Sequence, residues 1–426
     1  MKRKLLIGIV ALTVCISMFA VPKMCFKLDD GQIVKYDVDK VVEVYYETII
    51  NDTTPPQIDS FIVDASRTPL VFGILSDTTV EVSMGSCGSI DSVNIPSKVK
   101  IDGKVYEVTS IGEKAFYECS NWRCITIPES VTSIGKEAFY NCSELRNITI
   151  PKGVKSIEKS VFYGCSSLNS IIIPEGVTSI GAYAFYACSQ LDSITIPKSV
   201  KHIGQETFRD CSQLSSITIP EGVTSIENGA FRYCSQLSSI TIPESVTSIG
   251  DYAFSSCSGL ESITIPESVT SIGESAFAYC YGLTSITIPE GVTSIKSRTF
   301  RVCSQLESIT IPESVTSIGV EAFSGCSVLE SITIPESVTY IDDGAFQNCI
   351  SLQNITVPKN ITFIAWALFD GCVQLKTLTI PENVSYIGIA AFRRCENLDV
   401  VIENSKENVE IGRDAFDGCK SVTYTK

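Results

Sequence analysis

A regularly spaced column of cysteines is the first set of residues in this 426-residue chain that could carry chemistry. Fourteen of the 18 cysteines each follow a phenylalanine by three residues. Such an array could bind metal ions or form a ladder of disulfides. However, stacked equivalent side chains project in the same direction, which suits a bridge poorly, and the chain contains no Cys-x-x-Cys pair. We therefore predict a structural column of small, buried free thiols that includes Cys142, Cys165, Cys188, Cys211, Cys234, Cys257 and Cys280.

Residues outside this column offer little further chemistry. Cys87 and Cys124 could pair with each other, and the sequence alone leaves this open. His202 is the one histidine, so neither a zinc ligand set nor a Ser-His-Asp or Cys-His arrangement can be assembled. We find no glycine-rich phosphate-binding motif. The sequence therefore predicts a protein that is not an enzyme and needs no metal or cofactor.

One variable position, directly after each repeated phenylalanine, carries residue types that are enriched at protein interfaces. It holds tyrosine in four successive repeats and arginine in the next two. Tyrosine, tryptophan and arginine contribute disproportionately to binding at protein–protein interfaces. The alternative is that the position merely tolerates variety. The candidate binding surface consists of Tyr117, Tyr140, Tyr163, Tyr186, Arg209 and Arg232, to which Trp366 is added because it departs from the repeat.

A column of threonines alternates with inward-facing isoleucines and forms a candidate exposed ladder, which includes Thr218, Thr241, Thr264, Thr287, Thr310 and Thr333. Such a ladder could bind a carbohydrate or another ordered surface. The alternative is that threonine is simply a favourable exposed strand residue that pairs with its copies. A further column, glutamate after proline, is interpreted as a solvated acidic rim, with a calcium ladder as its alternative.

These columns of equivalent residues arise because the sequence repeats with a strict period. Proline recurs every 23 residues from Pro128 to Pro381, and a fixed short period is typical of a solenoid. Ile263 and Ile265 flank Thr264, so the isoleucines should face inward from a strand that Pro266 ends. A second short extended run follows, and the chain should return through a short helical or 3-10 turn. The pattern predicts stacked parallel strands.

The combination Phe-x-x-Cys-x-x-Leu-x-x-Ile-x-Ile-Pro-x-x-Val-x-x-Ile-Gly-x-x-Ala-Phe resembles the BspA-type leucine-rich repeat over roughly residues 90–422. This resemblance implies an α/β solenoid, a curved array of about 13 coils with parallel strands, short helical or 3-10 turns and a β-rich N-terminal cap. It also implies a secreted or surface protein of an anaerobic bacterium or a protist that adheres to host matrix proteins or to other microbes.

The composition of the chain changes along its length and suggests five segments. The start, Met1-Lys2-Arg3-Lys4 followed by an apolar run to Ala20, predicts a secretory signal peptide, with lipid anchoring at Cys15 or an uncleaved anchor as alternatives. Asp30-Gly31 predicts a β-hairpin. The predicted segments are the signal peptide (1–20), a hairpin and linker (21–60), a β cap with an imperfect first repeat (61–115), the repeat array (116–400) and an atypical C-terminal repeat or cap (401–426).

The charge balance restricts the partners. Lys and Arg total 33 and Asp and Glu total 48, which gives a net charge of −15 and disfavours nucleic acid and anionic membranes. The sequence predicts an exported or cell-surface protein that binds host matrix or microbial surface proteins, with no membrane insertion beyond the signal segment. The alternatives are a structural envelope or extracellular-matrix component, and a binder of glycans or ordered surfaces through the threonine ladder.

Overall fold

The computed structural model describes residues 23–27, 33–37, 62–85, 87–88 and 92–426. The chain divides into two units, residues 1–61 and 62–426. In the first unit, Lys23–Lys27 pairs antiparallel with Ile33–Asp37, which confirms the hairpin predicted around Asp30-Gly31. The predicted signal segment, including Cys15, and the linker lie outside the described residues.

The second unit begins with a mixed β-sheet. Its strands are Ile62–Asp64, Leu70–Ile74, Thr79–Met84, Lys98–Ile101 and Lys104–Ile111, with a short 3-10 helix at Ala65–Arg67. The predicted Asp-Gly hairpin joins the last two strands, and both Asp102 (φ 49°) and Gly103 (φ 85°) have positive φ. This pair of left-handed residues is what a tight two-residue hairpin loop requires. The sheet continues into the repeats because Lys104–Ile111 pairs with Ser133–Ile134.

The repeats stack as a solenoid with two parallel ladders, as predicted. Ladder A carries the Ile-Thr-Ile segment, and its strands are Ser92–Asn94, Cys124–Thr126, Asn147–Thr149, Ser170–Ile172, Ser193–Thr195, Ser216–Thr218, Ser239–Thr241, Ser285–Thr287, Ser308–Thr310, Ser331–Ile332, Asn354–Ile355, Thr377–Ile380, Asp399–Ile402 and Ser421–Tyr424. Ladder B follows the proline turn in each coil, and its strands are Ser133–Ile134, Ser156–Ile157, Ser179–Ile180, His202–Ile203, Ser225–Ile226, Ser248–Ile249, Ser271–Ile272, Ser294–Ile295, Ser317–Ile318, Tyr340–Ile341, Phe363–Ile364, Tyr386–Ile387 and Glu410–Ile411.

A glycine after the ladder B strand lets successive coils approach closely. A Cβ built on Gly273 would lie 2.3 Å from the carbonyl carbon of Gly250. In four coils a larger residue occupies this position, and ladder B is interrupted immediately before each of them. These residues are Glu158, Glu227, Lys296 and Ala365. Asp342 also occupies this position, yet pairing is kept there, and nothing in the structure explains the exception.

The return segment of each coil differs from the predicted short helical or 3-10 turn. It contains two β-turns whose third residue is left-handed: Ala138 N–H donates to the carbonyl of Gly135 and Cys142 N–H to that of Phe139. Glu137 (φ 56°) and Asn141 (φ 54°) have positive φ, which a type II turn requires at its third residue. Their own N–H groups bond to the next coil, so a continuous helix cannot form. In the described part of the second unit, the 3-10 helices are Ala65–Arg67 and Lys406–Asn408, and neither is a return segment of the repeats.

The core is built from columns of identical side chains. The phenylalanines stack from Phe116 to Phe416, and the ring centroids of Phe208 and Phe231 are 5.6 Å apart with planes 7° from parallel. Each buried free thiol of the cysteine column also has a hydrogen-bond partner. For example, Cys142 Sγ donates to the carbonyl oxygen of Phe116 at 3.2 Å. The same bond recurs along the column, so the cysteines connect neighbouring coils as well as filling space.

The N-terminal end of the cysteine column forms a disulfide. Cys87 is bonded to Cys119, the first member of the column, with the two Cα atoms 5.2 Å apart. The pairing of Cys87 with Cys124 that the sequence left open is therefore wrong. Cys124 is an exposed free thiol on ladder A. Cys87 is not a repeat-equivalent residue, so it approaches Cys119 from a direction that no stacked neighbour could take.

Candidate functional site

A continuous stack of tyrosine rings lies on the return turns at the N-terminal end of the solenoid. The ring centroids of Tyr117, Tyr140, Tyr163 and Tyr186 are separated in turn by 4.7, 4.5 and 4.4 Å, and adjacent planes are within 8° of parallel. The position after phenylalanine places all four rings on one line because successive coils stack in register. The rings cover each other's faces and present their edges and hydroxyl groups to solvent.

Two of the stacked tyrosine hydroxyls, those of Tyr140 and Tyr186, have a raised pKa. Burial raises the pKa of Tyr140, and the neighbouring rings of Tyr163 and Tyr117 raise it further. Burial also raises the pKa of Tyr186, and this outweighs the opposing effect of Arg209. The hydroxyls of Tyr140 and Tyr186 are therefore neutral hydrogen-bond donors at physiological pH.

Two arginines extend the stack. The Arg209 guanidinium lies 5.2 Å from the ring centroid of Tyr186, and ion pairs with Glu206 and Asp210 hold it there. The Arg232 guanidinium lies 4.9 Å from the ring centroid of Tyr233 and 4.8 Å from that of Tyr252. Within the described part of the chain, Arg232 has no ion pair. We call this surface the Tyr–Arg ridge, which comprises Tyr117, Tyr140, Tyr163, Tyr186, Arg209, Arg232, Tyr233 and Tyr252.

Sequence reasoning missed part of this surface. Tyr233 and Tyr252 are 38% and 37% exposed and hold the arginines in place. Tyr183 lies 6.2 Å from Tyr186 between ring centroids, and Arg301 donates to the hydroxyl of Tyr279 at 2.9 Å. These tyrosines occupy positions two residues before or after the repeated phenylalanine. A search of those two flanking positions for tyrosine would have found them.

Trp366 is not part of the ridge. It is 48% exposed, as predicted from its departure from the repeat, but it lies several coils farther along the solenoid than Arg232. Its backbone N–H donates to the carboxylate of Asp343 at 2.9 Å. The structure therefore separates the tryptophan from the tyrosines with which it was grouped.

The predicted threonine ladder lies on ladder A, and every member of it is exposed: Thr218, Thr241, Thr264, Thr287, Thr310 and Thr333. Thr218 and Thr241 are partners in a continuous strand pairing. That pairing is reduced to a single bridge, Ser262 with Ser285, in the coil that contains Thr264. At the N-terminal end, Ile172 replaces threonine and is 74% exposed. The threonines are therefore not an uninterrupted lattice.

The structure buries the cysteine column. Cys142, Cys165, Cys188, Cys211, Cys234, Cys257 and Cys280 are free thiols with no solvent exposure. Burial raises the pKa of the Cys142 thiol to about 12. A thiolate is the form that attacks disulfides and binds metals, so these side chains are unreactive at neutral pH. His202 is exposed on ladder B, and within the described residues no group of three or more potential metal ligands is assembled.

Comparison with known proteins agrees with this architecture. The model of the BspA type leucine rich repeat region (6 copies) matches residues 85–215, 201–330 and 293–423. The structure is similar to that of a leucine-rich repeat protein from Bacteroides ovatus, with 35% identity, 83% of this chain and 91% of that chain covered, and a TM-score of 0.75. It is also similar to a leucine rich cell surface protein from Faecalibacterium prausnitzii, with 30% identity, 84% and 93% covered, and a TM-score of 0.52.

No functionally curated protein matches the chain. Among the described residues, no helix is both long enough and apolar enough to cross a membrane. The family model covers most of the chain, and its coils coincide with the stacked ladders and the phenylalanine and cysteine columns described above. The chain therefore belongs to the family of proteins with BspA-type leucine-rich repeats.

Proposed function

We propose that this protein is an exported, non-enzymatic surface protein that adheres to other proteins through the Tyr–Arg ridge. The ridge is the observation that carries the proposal. Tyrosine and arginine bind strongly at protein interfaces because each combines a large contact area with hydrogen-bonding groups. Partners of the predicted kind are host matrix proteins or the surface proteins of other microbes.

The ridge is ordered before any partner arrives. Stacking fixes the rings of Tyr117, Tyr140, Tyr163 and Tyr186, and the tyrosines around Arg209 and Arg232 fix the guanidinium groups. A side chain that is already immobile loses little conformational entropy on binding, and this favours affinity. Arg232 lacks a carboxylate partner within the described residues, so it is available to an acidic group or a carbonyl of the partner.

Export is supported by the N-terminal sequence and by the printed name of a relative. The basic and apolar residues 1–20 have the pattern of a secretory signal. The relative from Faecalibacterium prausnitzii is called a leucine rich cell surface protein. Treating intact cells with protease and identifying the released peptides tests this location. Peptides from this chain that appear only after cell lysis would contradict a surface location.

The adhesion proposal is tested with the double substitution Tyr140→Ser and Tyr163→Ser. Serine occupies the same position at Ser255, so the coil tolerates it. We expect binding to immobilised matrix proteins or to microbial cells to weaken at least about tenfold, because the centre of the ring stack is removed. Surface plasmon resonance and cell-adhesion counts provide the measurement.

A matched control separates this proposal from its alternatives. Thr264→Glu places a charge in the middle of the threonine ladder and leaves the ridge intact. Binding that survives the tyrosine substitutions but is lost with Thr264→Glu would support the ordered-surface alternative instead. If the unmodified protein is firmly retained in the envelope and binds no matrix protein or cell, the structural-component alternative is favoured.

A further inference from the structure

A shallow groove begins beside Lys296, next to an interruption of ladder B, and extends over the two following coils to Asp342. The corresponding glycine of the preceding coil, Gly273, allows backbone contact with Gly250, whereas the side chain of Lys296 prevents the same approach to the coil of Glu274. The strands Ser271–Ile272 and Ser294–Ile295 are consequently unpaired with each other. The resulting groove has a volume of about 300 Å³. This is at the lower end of the range of about 300–1,000 Å³ that is typical of small-molecule sites.

The groove is lined by groups that can both donate and accept hydrogen bonds. Its polar lining consists of Glu274, Ser294, Lys296, Ser297, Ser317, Tyr340 and Asp342. Among the described residues, the Lys296 ammonium group has no ion-pair partner. Glu274 is paired with Arg298, with 3.9 Å between Oε1 and Nη1, and the charges of Asp342 and Lys296 offset each other. The lining therefore has no net charge that would favour an ionic ligand.

An aromatic side chain borders this polar groove. Tyr340 is 43% exposed and replaces the serine found at the same ladder B position in the preceding coil, Ser317, which is its strand partner. The ring of Phe363 in the next coil meets Tyr340 edge-on, with the centroids 5.5 Å apart. Burial, followed by the carboxylate of Asp342 to which it hydrogen-bonds, raises the pKa of Tyr340. The Tyr340 ring is therefore held in position while part of its surface remains open to solvent.

We propose that this groove binds a segment of a neutral oligosaccharide. A pyranose ring presents C–H groups that pack on an aromatic ring, and its hydroxyls both donate and accept hydrogen bonds. Tyr340 supplies the ring surface, Glu274 and Asp342 supply acceptors, and Lys296 supplies a donor. The groove lies on ladder B, whereas the ridge lies on the return turns, so this inference does not depend on the Tyr–Arg ridge.

The neutral glycan is favoured over a peptide by the chemistry of the lining. A bound peptide usually needs an apolar pocket for an anchoring side chain or an exposed sheet edge to extend. The strands that are unpaired with each other here, Ser271–Ile272 and Ser294–Ile295, are each only two residues long, which is a short edge for a peptide. The polar lining here is mostly carboxylate, ammonium and hydroxyl groups, while the ladder B isoleucines 295 and 318 lie buried beneath it. Trp366, 48% exposed on the coil after Tyr340, provides a second aromatic surface on the same part of the solenoid.

A glycan array that contains neutral and anionic glycans tests the proposal with the full-length protein. We expect neutral glycans to bind, and we expect Tyr340→Ser to weaken that binding at least about tenfold when titrated by calorimetry. Asp342→Gly should also weaken it. Each substitution restores the residue found at the same position of the preceding coil, Ser317 and Gly319, so the fold should be retained. A circular dichroism melt of each variant checks this.

The control is the Tyr140→Ser and Tyr163→Ser double variant, which should bind neutral glycans as the unmodified protein does. Loss of glycan binding in that variant would assign the glycan to the ridge and overturn the proposal. Preference for anionic glycans, capture of peptides in place of glycans, binding unaffected by Tyr340→Ser, or no glycan bound at all would each overturn it as well. Loss of protein adhesion with glycan binding intact would refute only the role of the ridge.

Discussion

Asp370 shows how a single residue departs from the repeat and is accommodated. It is the one charged side chain among the described residues that is fully buried. It follows Phe369, at the position where the ridge tyrosines stand in earlier coils. Arg393 donates to it at 2.7 Å and Arg394 at 2.9 Å, and Gln347 contributes a third contact. At this position the contact between coils is therefore made by a carboxylate that is hydrogen-bonded to two arginines of the next coil, where earlier coils have stacked tyrosine rings.

The ionisation of Asp370 should make stability depend on pH. Burial alone would raise the pKa of Asp370, but hydrogen bonds from Arg393, Arg394 and Gln347 outweigh this and lower the pKa from that of an ordinary aspartate. A lowered pKa in the folded state means that the stabilisation is present at neutral pH. It is lost as the pH falls through the folded-state pKa.

Asp370→Asn should therefore lower the free energy of unfolding by about 1–3 kcal/mol at pH 7, less than for a fully buried pair because both arginines are half-exposed. The difference between Asp370→Asn and the unmodified protein should shrink below about pH 4. Denaturant unfolding at pH 7, 5 and 3.5 measures both effects. A difference that stays constant across this range would contradict the assignment.

At the scale of the element, a glycine after the ladder B strand accompanies continuous pairing with the preceding coil, and Asp342 is the exception at which pairing is kept without it. Gly135, Gly181, Gly250 and Gly273 each face the backbone of the preceding coil too closely for a Cβ. Before Glu158, Glu227, Lys296 and Ala365 the ladder B pairing is interrupted, and a groove begins beside Lys296. The same substitution that weakens an element can therefore create a surface with different chemistry.

Gly273→Ala should break the pairing between Ser248–Ile249 and Ser271–Ile272. Because its Cβ would lie 2.4 Å from Asp251 N, the coils must move apart, and we expect a loss of about 1–3 kcal/mol in stability. Thermal unfolding followed by circular dichroism gives the measurement. Gly85→Ala is the matched control, since its nearest neighbour would be a side-chain carbon at 3.8 Å. Equal stability of the two variants would show that the close approach is unimportant.

At the scale of the whole molecule, stability must come from contacts between neighbouring coils, because each coil is too small to bury its own apolar face. The columns of phenylalanine, isoleucine and cysteine supply those contacts along the array. The N-terminal end has an additional covalent link, since the Cys87–Cys119 disulfide ties the cap to the first coil. This link should limit unfolding that begins at the cap.

Reduction of that disulfide should destabilise the N-terminal end of the array. The bridged residues are 32 positions apart, for which chain entropy predicts a stabilisation of about 3–4 kcal/mol. We expect a mild reductant to lower the unfolding midpoint of the unmodified protein but not that of Cys87→Ser. That variant leaves Cys119 as a free thiol, like the rest of its column. A midpoint that does not respond to reductant in the unmodified protein would contradict the role of this bridge.

The sequence by itself determined the solenoid and its columns. The 23-residue period, the alternation of isoleucine and threonine, and the proline that ends each strand are local patterns, and each requires the same coil wherever it recurs. The two predicted hairpins were also correct: Lys23–Lys27 pairs antiparallel with Ile33–Asp37, and Lys98–Ile101 pairs antiparallel with Lys104–Ile111 around Asp102-Gly103.

Only the tertiary structure decided which non-repeating residues meet. It placed Arg232 between Tyr233 and Tyr252, joined Cys87 to Cys119, and separated Trp366 from the ridge. It also replaced the predicted helical return with paired β-turns, because N–H groups of that segment bond to the following coil. Contacts such as that of Arg232 with Tyr252 and of Cys87 with Cys119 join residues 20 or more positions apart, which stacking brings together and a local pattern does not specify.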